Sequence, residues 1–184
     1  MLIEDGRGSG RRVEVDPENM LRVLATMQTL ERHTNQEHGQ AYHAPFDKAP
    51  TANDDCIFYL QNLSDTDLIV EGFWLSVSAV CELYFKLNAI GTRNAAAAIT
   101  PVNVNAKSGN EADCTCEQGV DLDGGAAELT GGTEVERYVF RAAGDSEFFN
   151  FEQDIVLGKN DTLTVWGSIA AAVANGTAVI NFHD

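Results

Sequence analysis

The chain has 184 residues, 44% of them hydrophobic, and a formal net charge of −16, which fits one domain or one domain plus an extension. No apolar run approaches the roughly 20 residues that span a bilayer, so no membrane partner is expected. The N-terminus lacks an apolar h-region and a small-residue cleavage site, so synthesis and folding in the cytoplasm are expected.

The charge is uneven. Residues 1–55 carry six Lys/Arg against ten Asp/Glu, and residues 56–184 carry six against eighteen. Nucleic-acid affinity comes largely from neutralising phosphates, so such a body is not expected to bind nucleic acid. Only the extreme N-terminus has a local basic excess, with Arg7, Arg11 and Arg12 against Glu4 and Asp5.

Gly6-Arg7-Gly8-Ser9-Gly10 opens a polar stretch suited to reaching rather than packing. Arg12 to Asp16 alternates, with Val13 and Val15 on one side. Leu21, Val23 and Ala25 alternate again after Asp16-Pro17-Glu18-Asn19, where Pro17 takes the second position of a type I turn. A hairpin closing on that turn competes with a helix capped by Asp16 and running through Met20, Leu24, Met27 and Leu30. The hairpin is preferred, followed by a short helix over residues 30–38 that Gly39 stops. Pro45 and Pro50 then mark an extended linker ending near Asp54-Asp55. Residues 1–54 are thus expected as an N-terminal docking arm and residues 55–184 as the body.

The body opens with Cys56 to Leu63, a run rich enough in aliphatic and aromatic residues to be a buried strand. Leu68 to Ser78 follows, with Phe73, Leu75 and Val77 on one face and Trp74 and Ser76 on the other. Leu83, Phe85 and Leu87 point inward from a third strand. Thr100 to Asn105, Cys114 to Gln118, Val135 to Arg141, Phe149 to Ile155, Thr162 to Trp166 and Ala178 to Phe182 complete eight or nine short strands. With no helix-length pattern between them, the fold class is all-β: an antiparallel β-sandwich, with an eight-stranded jelly roll as the expected form because residues 107–132 are too many for a hairpin loop.

No catalytic constellation emerges. No Ser or Cys lies in a Gly-flanked elbow, and no carboxylate pair stands out in so acidic a chain. His33, His38 and His43 lack metal-ligand spacing and read as solvated side chains. Asp121-Leu122-Asp123-Gly124-Gly125 resembles a fragment of a calcium loop but lacks the distal bidentate Glu, so it reads as a flexible acidic loop. Cys56, Cys81, Cys114 and Cys116 read as reduced thiols, and Cys114 and Cys116 would share a strand face. No cofactor is expected. Asn62, Asn160 and Asn175 sit in glycosylation-like triplets and are expected at strand edges and turns. Trp74, Tyr84, Tyr138 and Trp166 suit a sandwich core or subunit interface better than a sugar-binding face.

Ile3 to Gly6, Val13-Glu14-Val15-Asp16 with Asn19 to Val23, and His38 to Tyr42 resemble the openings of small virion proteins of tailed bacteriophages. Thr100 to Asn105 with Lys107 to Asn110 is similar to a mid-chain element of those proteins. Leu157 to Val165 with Ile180-Asn181-Phe182 looks like their C-terminal strand pair. The resemblance implies a non-enzymatic virion structural protein, a capsid decoration (cement) protein at the capsid surface, with the major capsid protein and its own copies in a homotrimer as partners. The arm would dock by strand addition, with Arg7, Arg11, Arg12, Val13, Val15, Leu21 and Val23 in contact. The second reading is a head-fibre or tail adaptor whose body binds a host glycan.

Overall fold

The computed structural model describes residues 3–4, 12–15, 21–22, 35, 38–125 and 129–183. In chain order the strands among them are β1 (Ile3–Glu4), β2 (Arg12–Val15), β3 (Leu21–Arg22), β4 (Ala41–Lys48), β5 (Asp55–Asn62), β6 (Asp67–Val77) and β7 (Cys81–Ile90). They continue with β8 (Ala97–Ala98), β9 (Val102–Asn103), β10 (Cys114–Gln118), β11 (Thr130–Phe140), β12 (Ser146–Leu157), β13 (Thr162–Gly167) and β14 (Ala174–His183). Sheet I has the order β11-β7-β13-β5-β10-β8, sheet II the order β12-β6-β14-β4-β9, and β1-β2-β3 form a small separate sheet. Sheets I and II pack face to face, so the all-β antiparallel sandwich expected from the strand spacing is what the chain builds.

Four pairings nest: β4 with β14, β5 with β13, β6 with β12 and β7 with β11. The pairs alternate between the two sheets, so the eight long strands wind around the core as one folded-over hairpin. The connection from β7 to β11 supplies β8, β9 and β10, which widen sheet I beyond β5 and sheet II beyond β4. Among the described residues the sandwich therefore has eleven strands rather than eight or nine.

Period-two alternation explains the core. Phe73, Leu75 and Val77 of β6 are buried between the sheets, while Trp74 on the opposite face is 57% exposed. The register between β6 and β14 skips Glu71, and this bulge shifts the phase so that Leu68 and Val70 also face inward. Phe46, Phe58, Phe73 and Phe85 form a chain of ring contacts across the interior, with centroids 4.8, 5.7 and 5.2 Å apart. Burying each such ring contributes roughly 1.5–3 kcal/mol. Gly72 lets β12 approach here, since a Cβ at that position would stand 1.9 Å from the Phe149 carbonyl oxygen.

β5 is buried along nearly its whole length because both its faces are covered. Ile57, Phe58 and Leu60 face the main core. Cys56 and Tyr59 join Tyr84, Ala89, Leu122, Leu129 and Trp166 in a second cluster.

Several expectations need correction. The expected linker is strand β4, paired with β14 along its length, so the sandwich begins at Ala41, ahead of the boundary expected at residue 55. Pro45 is tolerated because β9 pairs only with Tyr42 and His43, leaving β4 an edge beyond that point. Thr100 to Asn105 yields only the two-residue β9, because Asn103 and Asn105 side chains accept main-chain N–H groups and turn the chain. β2 and β3 do pair antiparallel, Val15 opposite Leu21, while the turn residues 16–20 lie outside the described residues. The expected helix over 30–38 also lies mostly outside them. Gly39 itself has φ of +62° and its N–H donates to the Asn35 carbonyl.

Candidate functional site

Asp55 at the start of β5 meets Asp121 and Asp123 from the loop folded over it, with one oxygen of each within 4.8 Å of the others. Local pairing creates this arrangement. The Leu122 N–H donates to the Cys56 carbonyl at 2.9 Å, and the Cys56 N–H donates to Asp123 Oδ1 at 2.6 Å. Asp55 Oδ2 accepts from the Thr51 hydroxyl at 2.9 Å and from the Ala52 N–H at 2.6 Å. Burial raises the Asp123 carboxyl above the usual carboxylate range; the Cys56 N–H opposes this, and the Asp55 and Asp121 charges add to the rise. Such carboxylates suit a divalent cation, and these three are the residues that could hold one. Two of them already accept main-chain N–H groups, so the cluster also fastens the loop to β5. The loop expected to be flexible is anchored instead, with Leu122 completely buried.

Beside it, cations seal the aromatic residues on the outer face of sheet I. Tyr84 and Trp166 stack at 6.2 Å, with Lys86 Nζ 3.8 Å from the Trp166 ring centre and the Arg137 guanidinium 4.7 Å from that of Tyr84. Arg93 lies 4.3 Å from the Tyr59 ring centre and pairs with Glu117 at 2.6 Å. These rings are buried, which removes Tyr84 and Trp166 from any exposed sugar platform.

The outer face of sheet II differs. Register places Phe148, Trp74, Thr177 and Pro45 side by side across β12, β6, β14 and β4, and Ser146, Ser76, Asn175 and Asp47 in the next row. Phe148 lies 4.8 Å from Trp74, centre to centre. A shallow hollow of about 260 Å³ lies over Trp74, Ser76, Ser146, Asn175 and Thr177. Tyr138 stands apart, at the flank where β11 and β12 diverge, and its hydroxyl donates to Glu147. A second hollow of about 590 Å³ opens there between Tyr138, Arg141 and Glu147. β11 is the edge of sheet I and is exposed over most of its length, including Val135 and Val139.

Among the residues expected to bind a partner, Arg12, Val13 and Val15 lie on β2 and Leu21 on β3, and Val13 pairs with Ile3. Arg7, Arg11 and Val23 lie outside the described residues, as does His33. His38 and His43 are described, and His43 sits on β4. Asp55 escaped the sequence reading because 66 residues of chain separate it from Asp121; the only signal was its place before the first strong strand. All four cysteines are free, as expected, and Cys114 and Cys116 both pack toward the main core. Of the glycosylation-like residues, Asn62 is fully buried rather than at an edge.

No protein-family model, characterised protein or solved structure matches this chain.

Proposed function

We propose that this is a virion structural protein: a non-enzymatic capsid decoration protein that binds the outer surface of a bacteriophage head as a homotrimer, held to the major capsid protein through the residues that precede Ala41. The observation that carries the reading is the open flank of the sandwich. β11 is a long edge strand, exposed over most of its length, and among the described residues it pairs with β7 alone, so its other side can take another strand. A neighbouring copy or a capsid strand supplies one. The nested strand pairing supports reading the body as a jelly roll, an architecture shared by capsid and lectin domains. The acidic body keeps copies apart until they are seated, and several modest contacts to different capsid subunits then add up.

In this reading β2 and β3 pair with strands of the particle, Val13, Val15, Leu21 and Val23 meet apolar surface, and Arg7, Arg11 and Arg12 meet acidic groups. Removal of residues 1–20 leaves the sandwich folded, by circular dichroism, and abolishes attachment to particles lacking the protein. Normal occupancy by the truncated chain would overturn the proposal. Mass photometry of the intact chain tests the trimer.

A further inference from the structure

We infer that the outer face of sheet II carries a binding site for a neutral sugar ring, with Trp74 as its platform and Ser76, Ser146, Asn175 and Thr177 as its hydrogen-bonding wall. Trp74 is 57% exposed in the middle of a sheet rather than at a loop tip, and Phe148 against its side steadies the indole. The face of an indole carries negative charge density, which attracts the weakly positive C–H groups on one side of a pyranose.

The second observation is the adjoining row. Ser146, Ser76, Asn175 and Asp47 face outward on four neighbouring strands, with Thr177 beside Trp74. Among the described residues, none of these five side chains makes a hydrogen bond or ion pair. Strands stand about 4.8 Å apart, so the row offers hydroxyl, hydroxyl, amide and carboxylate groups at regular intervals along one line beside the indole. Elsewhere the same residue types are engaged: Ser168 accepts the Glu82 N–H and Ser78 the Val173 N–H.

The occupant follows from the chemistry. A protein partner would have to desolvate five unpaired polar groups to reach Trp74, at a cost for each that it could not match with apolar contact, and Ser is depleted at such interfaces. A sugar presents one apolar face and a rim of hydroxyls, matching one aromatic row and one polar row. Asp47, with the −16 charge of the chain, excludes acidic and sulfated glycans.

The test uses the full chain with chitotetraose, mannotriose and lactose as probes and a sulfated heparin oligosaccharide as the charged control. Saturation-transfer NMR reads contact with the ring, and tryptophan fluorescence reads affinity, Trp74 responding while the buried Trp166 does not. At least one neutral probe is expected to bind saturably at millimolar concentration, with W74A losing about tenfold or more, N175A several-fold, and both variants keeping the native circular dichroism spectrum. The idea is overturned if no neutral probe binds, if W74A binds as the parent does, if heparin binds better, or if W74A lowers the oligomeric state, which would make the patch a subunit contact. None of these results depends on residues 1–20, so failure here leaves the attachment proposal standing.

Discussion

Asp123→Asn should make the protein more stable at neutral pH. Asp55, Asp121 and Asp123 have oxygens within 4.8 Å of one another. Each like-charge pair at that separation costs about 3 kcal/mol at an effective dielectric of about 20 and roughly 1 kcal/mol in bulk water. The site is half-buried at Asp121 and Asp123, so a net gain of about 1–2 kcal/mol is expected when one charge is removed. Asn keeps the Oδ1 that accepts the Cys56 N–H, so the loop stays fastened. The pH dependence follows from the raised carboxyl of Asp123. A carboxyl raised in the folded state opposes folding when ionised, so the parent protein gains stability as pH falls through the folded value toward the unfolded one. The advantage of Asp123→Asn is then largest at pH 7 and shrinks toward pH 4. Thermal unfolding in chelator at both pH values measures this, about 2–4 °C per kcal/mol for a chain of this size. A variant that melts below the parent at pH 7 would refute the electrostatic argument and make the cluster a net stabiliser.

Asn62→Ala should cost about 2–4 kcal/mol in urea unfolding, because the fully buried amide donates to the Thr66 and Leu157 carbonyls and its oxygen accepts the Ser64 N–H. Burial raises the Cys114 thiol to about 12 and lifts Cys56, Cys81 and Cys116 as well. A thiol reagent at pH 8 should therefore modify the folded protein very slowly and all four cysteines promptly in guanidinium; rapid native labelling would contradict this. Gly72→Ala should destabilise by roughly 2 kcal/mol or more, since the clash is with the main chain of β12 and not with a flexible side chain. Hydrogen exchange should show β12 opening first, and unchanged protection of Val70 and Phe149 would argue against it.

Much of the sandwich is legible in the sequence because one physical rule generates it. Leu83 and Phe85, and Phe73, Leu75 and Val77, alternate with outward residues, and those stretches are strands. Reading failed where a neighbour overrides the local pattern. Pro45 suggests a linker until β4 is seen paired with β14, with its other side left open beyond β9. Asp121 and Asp123 suggest a loose loop until Leu122 is seen buried over β5. Trp74 and Trp166 are indistinguishable in one dimension, each on an alternating strand. One faces solvent, and the other lies beneath Lys86, which comes from a different strand. Asp55, like the row of polar residues beside Trp74, is assembled from distant segments and has no local signature.

The nested pairing also sets how the molecule must come together. β14 lies between β6 and β4, with Asn181 opposite Ala41 and Ala174 opposite Lys48. Sheet II thus has at its centre a strand that follows all its other strands in sequence, and β4 and β6 are joined only once that strand is in place. Contacts so distant in sequence make folding slow and late rather than progressive during synthesis. A protease that clips only the final strand would remove a keystone, leaving two facing strand edges and an opened core. The stability of the whole sandwich is therefore staked on β14, which joins strands far earlier in the sequence.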